Sequence, residues 1–180
     1  MEKKLSLNTF DVTATALLAA LICVLGPLSL PIGPVPISLG SLAVYLAAYI
    51  GGKYRGTMAV LLYLLIGLVG VPVFSNFSGG IAKLIGPTGG YLIGYIPMAL
   101  LIGAASDKGR RVIVLIAMIA GTLILYALGT AWLAVSAHMG FIQALSAGVI
   151  PFIPGDLLKI AAAAIISPKI KSRIVPLAKM

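Results

Sequence analysis

The sequence predicts an all-α integral membrane protein: one domain, residues 1–180, built as a bundle of six transmembrane helices with both termini cytoplasmic. Three observations carry this. The chain is 61% hydrophobic and 9% charged, against roughly 45–50% and about 25% in a soluble domain. Its apolar residues fall into six stretches of near-spanning length. Its basic residues segregate to one side of the membrane those stretches define.

A spanning helix needs about 20 mostly apolar residues. The predicted spans are 12–30, 37–52, 56–74, 90–106, 112–137 and 153–168. The first follows Lys3 and Lys4 and could be confused with a signal peptide. It is long, however, and no small-x-small cleavage site follows it. Gly26 to Pro36 is too rich in Gly and Pro to continue as a helix. The run Gly51-Gly52-Lys53-Tyr54-Arg55-Gly56 reads as a tight turn into the third span. Val71 to Gly90 is a long Gly/Ser/Pro connection, Ser106 to Arg111 a charged hinge, and His138 to Pro154 an apolar connection with two prolines.

With the N-terminus inside, 11 of the 13 basic residues face the cytoplasm: Lys3, Lys4, Lys53, Arg55, Lys108, Arg110, Arg111, Lys169, Lys171, Arg173 and Lys179. Of the other two, Lys83 lies in an outer loop and Lys159 within the membrane. This is the positive-inside pattern. It explains the net charge of +9 by the anionic inner face of the bilayer, with no nucleic-acid partner. The outer connections are long and poorly charged, as binding loops or lids are. A site should therefore open outward. One cysteine, Cys23, and one histidine, His138, exclude a disulfide framework and a Cys- or His-cluster metal site.

The chemistry centres on Pro151-Phe152-Ile153-Pro154-Gly155-Asp156-Leu157-Leu158-Lys159. Asp156 and Lys159 share a helix face. An ionisable residue in the hydrocarbon core costs about 2.5–3.5 kcal/mol on insertion scales, and such residues mark substrate paths. Pro154 and Gly155 place Asp156 in a first helical turn, where the macrodipole favours an acid. A helix cap with a snorkelling lysine remains the plainer alternative. Phe74-Ser75-Asn76-Phe77-Ser78-Gly79-Gly80 and Gly86-Pro87-Thr88-Gly89-Gly90-Tyr91 add amide, hydroxyl and aromatic groups, and Asn76 can both donate and accept. Turn chemistry alone would also explain them. Gly86 to Tyr91 lacks the Gly-Lys-Ser/Thr ending of a P-loop, so any ATPase must be another polypeptide. Ala16 with Ala20, and Thr15 with Ala19, give the first span small residues four apart, which favour close helix approach. Trp132, Tyr126, His138 and Cys23 call for no special role.

These motifs, with Gly33-Pro34-Val35-Pro36-Ile37-Ser38-Leu39 and Tyr63 to Phe74, resemble the BioY family, the biotin-binding S-components of energy-coupling-factor vitamin transporters. Gly40-Ser41 stands where many relatives have Gln-Thr, which leaves a polar role there in doubt. The resemblance implies that Asn76, Tyr91, Asp156 and Lys159 line a biotin pocket. It also implies that the loops between spans one and two and between spans three and four cap it. Ala16 and Ala20 would face a shared transmembrane coupling subunit that works with two ATPases. Biotin is then the ligand, and no cofactor is expected. Asp156 and Asn76 suit the two N–H donors and carbonyl of a ureido ring. Lys159 could meet that carbonyl, the ligand carboxylate, or only Asp156. Phe74 and Phe152 suit its apolar parts. The competing readings are an S-component for another small vitamin, a stand-alone biotin facilitator, an intramembrane enzyme, and a structural or pore-forming protein. The enzyme lacks a nucleophile with a base, a carboxylate pair or a metal cluster.

Overall fold

Gly26 and Pro27 stop the first helix five residues before its expected end, and the chain turns there into a short hairpin. A computed structural model of the protein describes residues 8–31 and 34–174. Lys3, Lys4, Gly33 and Lys179 lie outside the described residues. The helices are α1 (Thr9–Leu25), α2 (Gly40–Leu68), α3 (Ile81–Ile85), α4 (Gly89–Asp107), α5 (Arg111–Ser136), α6 (Phe141–Gly148) and α7 (Ile153–Ile174). Strands β1 (Ser29–Leu30) and β2 (Ile37–Ser38) pair antiparallel, with Ser29 opposite Ser38.

The second element is two rods. Gly52 adopts φ +70°, outside helical geometry, a conformation open to glycine at little cost. Beyond it the chain doubles back, and a Cβ on Gly56 would lie 2.6 Å from the Cα of Ala48. With residues 40–51 and 53–68 counted separately, α1, these two rods, α4, α5 and α7 make six, as expected. The third rod ends at Leu68, not 74. Its last turns leave room at Gly67, and Phe74 folds back to fill it. The connection between α5 and α7 also holds structure that composition does not predict: α6 and a 3₁₀ turn at Ile150–Phe152.

Both rods of α2 form the centre of the bundle. The element packs against α1, α4 and α7, and α4 packs against α5. Tyr45, Tyr63, Met98, Ile102 and Met118 are buried there. The outward faces are apolar as well: Leu17, Ile116, Leu123 and Ile165 are each more than half exposed, as a surface facing lipid requires. The helices α4 and α5 and the stretch Phe141–Ile174 are long and apolar enough to cross a membrane.

One end of the bundle is stapled by polar contacts. Asp107 Oδ2 accepts the Lys53 N–H at 3.0 Å. Ser106 Oγ donates to the Tyr49 carbonyl at 2.6 Å, and Lys171 Nζ donates to Ser106 O and Oγ at 3.0 and 2.7 Å. Arg55 meets Asp11 at 2.9 Å. The basic clusters around residues 53–55, 108–111 and 169–173 gather at this end. Gly52→Ala should lower stability by at least ~1–2 kcal/mol, because alanine is strained at positive φ and its Cβ would meet the Asp107 carboxylate. Gly155→Ala, whose Cβ meets open space, should be neutral or better. Thermal unfolding of both variants in detergent checks the pair.

Candidate functional site

Asp156 lies in the first turn of α7, after Pro154, and points into the bundle. Its Oδ1 accepts from Lys159 Nζ at 2.9 Å and Ser41 Oγ at 3.1 Å, and its Oδ2 accepts from the Tyr126 phenol at 2.7 Å. Lys159 Nζ also donates to the Ser38 carbonyl at 2.7 Å and to Ser41 Oγ at 3.1 Å. Its three N–H bonds are thus all used. The side chains of Asp156 and Lys159 are 8% and 11% exposed. The lysine turns inward and does not snorkel. The network joins α7 to the start of α2 and the middle of α5.

This network floors a cavity whose empty space, open mouth included, is about 590 Å³. Val35, Tyr91, Leu92, Leu125 and Phe152 supply apolar and aromatic walls, and Ser75, Thr88 and Tyr95 add hydroxyls. The Tyr91 phenol donates to the Gly148 carbonyl at 2.9 Å, fixing α4 to the end of α6.

Four of the residues singled out from sequence therefore line one cavity: Tyr91, Phe152, Asp156 and Lys159. Asn76 and Phe74 are not among its lining residues. Phe74 is fully buried, edge-on to Tyr63 with ring centroids 5.4 Å apart. Asn76 is exposed, at φ +60°. Its Oδ1 accepts from Ser29 Oγ and its N–H donates to Ser29 Oγ, both at 2.7 Å, and so it latches the two covering loops together. Ala16 and Ala20 are exposed on the outer face of α1, away from the cavity.

Three residues carry more than sequence reasoning assigned them. Tyr126, given no role, binds Asp156. Ser41, left in doubt, bridges Asp156 and Lys159. Trp132 donates its indole N–H to the Gly86 carbonyl at 2.9 Å and so clamps the loop before α4. A signal for Tyr126 was present: Thr122, Tyr126 and Thr130 recur every fourth residue on an otherwise apolar helix, which sets a polar stripe on one face.

Removing one member of a buried pair strands the other. Lys159→Met should lower stability by about 3–5 kcal/mol. The double change Asp156→Asn/Lys159→Met should recover much of that, as thermal melts of the single and double variants in detergent would measure.

Known proteins match this chain along most of its length. The BioY family model covers residues 1–175. A protein named "Biotin transporter BioY" from Thermotoga maritima is 44% identical over 153 residues, 84% of this chain and 90% of that protein. A "Probable biotin transporter BioY" from Pyrococcus horikoshii is 40% identical over 161 residues, 89% of this chain and 96% of that one. The crystal structure of an S-component for biotin from an ECF-type ABC transporter superposes with a TM-score of 0.83, at 30% identity, over 90% of each chain. The chain belongs to the BioY family.

Proposed function

We propose that this protein is the biotin-capturing subunit of an ATP-driven energy-coupling-factor transporter, a binding and uptake protein and not an enzyme. The observation that carries this is the buried Asp156–Lys159 pair opening onto a cavity lined by aromatic and hydroxyl side chains. Membership of a family whose relatives are named biotin transporters supports the choice of ligand.

The chemistry of the site suits a ureido ring. Asp156 Oδ1 has both lone-pair directions taken, while Oδ2 accepts only from Tyr126 and keeps room for one ligand N–H. The pair is neutral as a unit, so a neutral cyclic urea enters without adding charge to a dry site. Tyr91 and Phe152 offer faces to the sulfur ring and alkyl chain. Asn76 enters this reading as the latch of the cover. For its amide to touch the ligand, the loop must first release Ser29.

Ala16 and Ala20, exposed and four apart on α1, form a smooth strip on which a transmembrane coupling subunit can pack closely. The basic end of the bundle, with both chain termini, faces the cytoplasm in this reading, and the cavity opens to the outside.

The purified chain in detergent should bind biotin saturably, read by isothermal calorimetry. Asp156→Asn and Lys159→Ala should each weaken binding by at least ~1–3 kcal/mol, since each leaves a buried partner unpaired. Unchanged affinity in both would sink the site assignment, and preference for another vitamin in a competition panel would redirect the ligand. Ala16→Leu/Ala20→Leu should leave biotin binding intact while abolishing co-purification with the coupling subunit.

A further inference from the structure

Lys159 is the obvious partner for an anionic group in this cavity, yet it has no N–H left to offer. All three are held by Ser38, Ser41 and Asp156, and its charge is matched by Asp156. A ligand with a carboxylate at the end of a flexible chain needs a different receptor for that group.

Thr88 has the required properties. It is the residue before the first turn of α4, a 19-residue helix. A threonine there ordinarily turns its hydroxyl onto an amide of the first turn, and Thr88 makes no such bond. The residue is 8% exposed and lines the cavity, and its Oγ1 has no hydrogen-bond partner among the described residues. A buried, unpaired hydroxyl is unfavourable unless something occupies it. Behind it, the Gly90 N–H has no backbone acceptor outside α4 among the described residues. The Gly89, Tyr91 and Leu92 amides are already engaged by the Gly86 and Thr88 carbonyls, and the start of a long helix adds partial positive charge that favours an anion. Ser75 lines the same cavity and adds a second hydroxyl.

We propose that Thr88 and the N-terminus of α4 form the subsite for the ligand's carboxylate, leaving the Asp156–Lys159 pair to the ureido ring. This rests on the reading that the cavity takes biotin. It also assigns the Gly86–Gly90 turn, clamped by Trp132, a task beyond turning the chain: it holds the hydroxyl and the helix end in place.

The test compares biotin with biotinamide, which is nearly the same shape but uncharged. Affinities are measured by calorimetry on the purified full chain. The wild-type protein should prefer biotin. Thr88→Val should weaken biotin about tenfold or more while leaving biotinamide nearly unchanged, so that the preference collapses. Thr88→Ser, which keeps the hydroxyl, should retain the preference. The ratio of the two affinities is insensitive to a general loss of folded protein. Equal weakening of both ligands by Thr88→Val, or no change in either, would overturn the subsite. So would loss of the preference in Lys83→Ala, the basic residue of the covering loops, with Thr88→Val unaffected. A wild-type chain that binds neither ligand would bring down the biotin reading itself, and this inference with it.

Discussion

The buried pair of Asp156 and Lys159 is the constraint around which the bundle is arranged. Two charges taken out of water lose several kcal/mol of solvation each, on the order of magnitude seen for buried ions. Their mutual attraction offsets this only if their remaining donors and acceptors are also satisfied. The fold supplies those partners from far along the chain: Ser38 from β2, Ser41 from the first turn of α2 and Tyr126 from the middle of α5. Three helices must therefore meet at one depth and in one register. An apolar bundle in lipid has little other means of fixing register, because its inner and outer faces are almost equally greasy.

The two ends of the molecule divide the remaining work. At the basic end, the Gly52 turn, Asp107, Ser106 and Lys171 tie the rods of α2 to α4 and α7 through short hydrogen bonds. At the other end the chain spends its residues on connections: a hairpin with two-residue strands, the 69–88 loop with α3, and α6 with its 3₁₀ turn. The first two of these are tied together by Ser29 and Asn76, which exchange two hydrogen bonds, and by the Asn76 N–H on the Pro27 carbonyl at 3.2 Å. The basic end is thus fastened helix to helix, the other end loop to loop.

Much of this could be read from residue order, and the exceptions have physical reasons. Six rods follow from hydropathy and from the Gly/Pro breaks, and the fourth and fifth agree with the predicted ends to within one residue. The Asp156–Lys159 pair stands out because charge is rare in such a chain. Their partners do not. Periodicity shows which face of a helix a tyrosine occupies, but not which helix that face meets, and Tyr126 is 30 residues from Asp156 and Ser41 is 115. Phe74 misleads in the opposite way. An aromatic beside a Ser/Asn/Gly loop reads as ligand-facing, yet the notch at Gly67 draws it into the core. Such a notch exists only once the third rod has stopped at Leu68.

Neutrality of the central pair has a consequence for selectivity. Had Lys159 stood free, any anion of suitable size would be drawn to the cavity floor, and discrimination would rest on shape alone. With Asp156 beside it and Ser38 and Ser41 filling its other bonds, the floor presents hydrogen-bonding directions without net charge. A group must match those directions to displace the existing bonds. A mismatch leaves a buried donor or acceptor unpaired, which discriminates far more steeply than loss of apolar contact. In the subsite proposed at Thr88, charge is recognised away from the floor, where a hydroxyl and a helix end meet an anion without disturbing the pair. A ligand that satisfies both places must carry a compact polar ring and an anion joined by an apolar spacer, and the distance between the two receptors becomes part of the specificity.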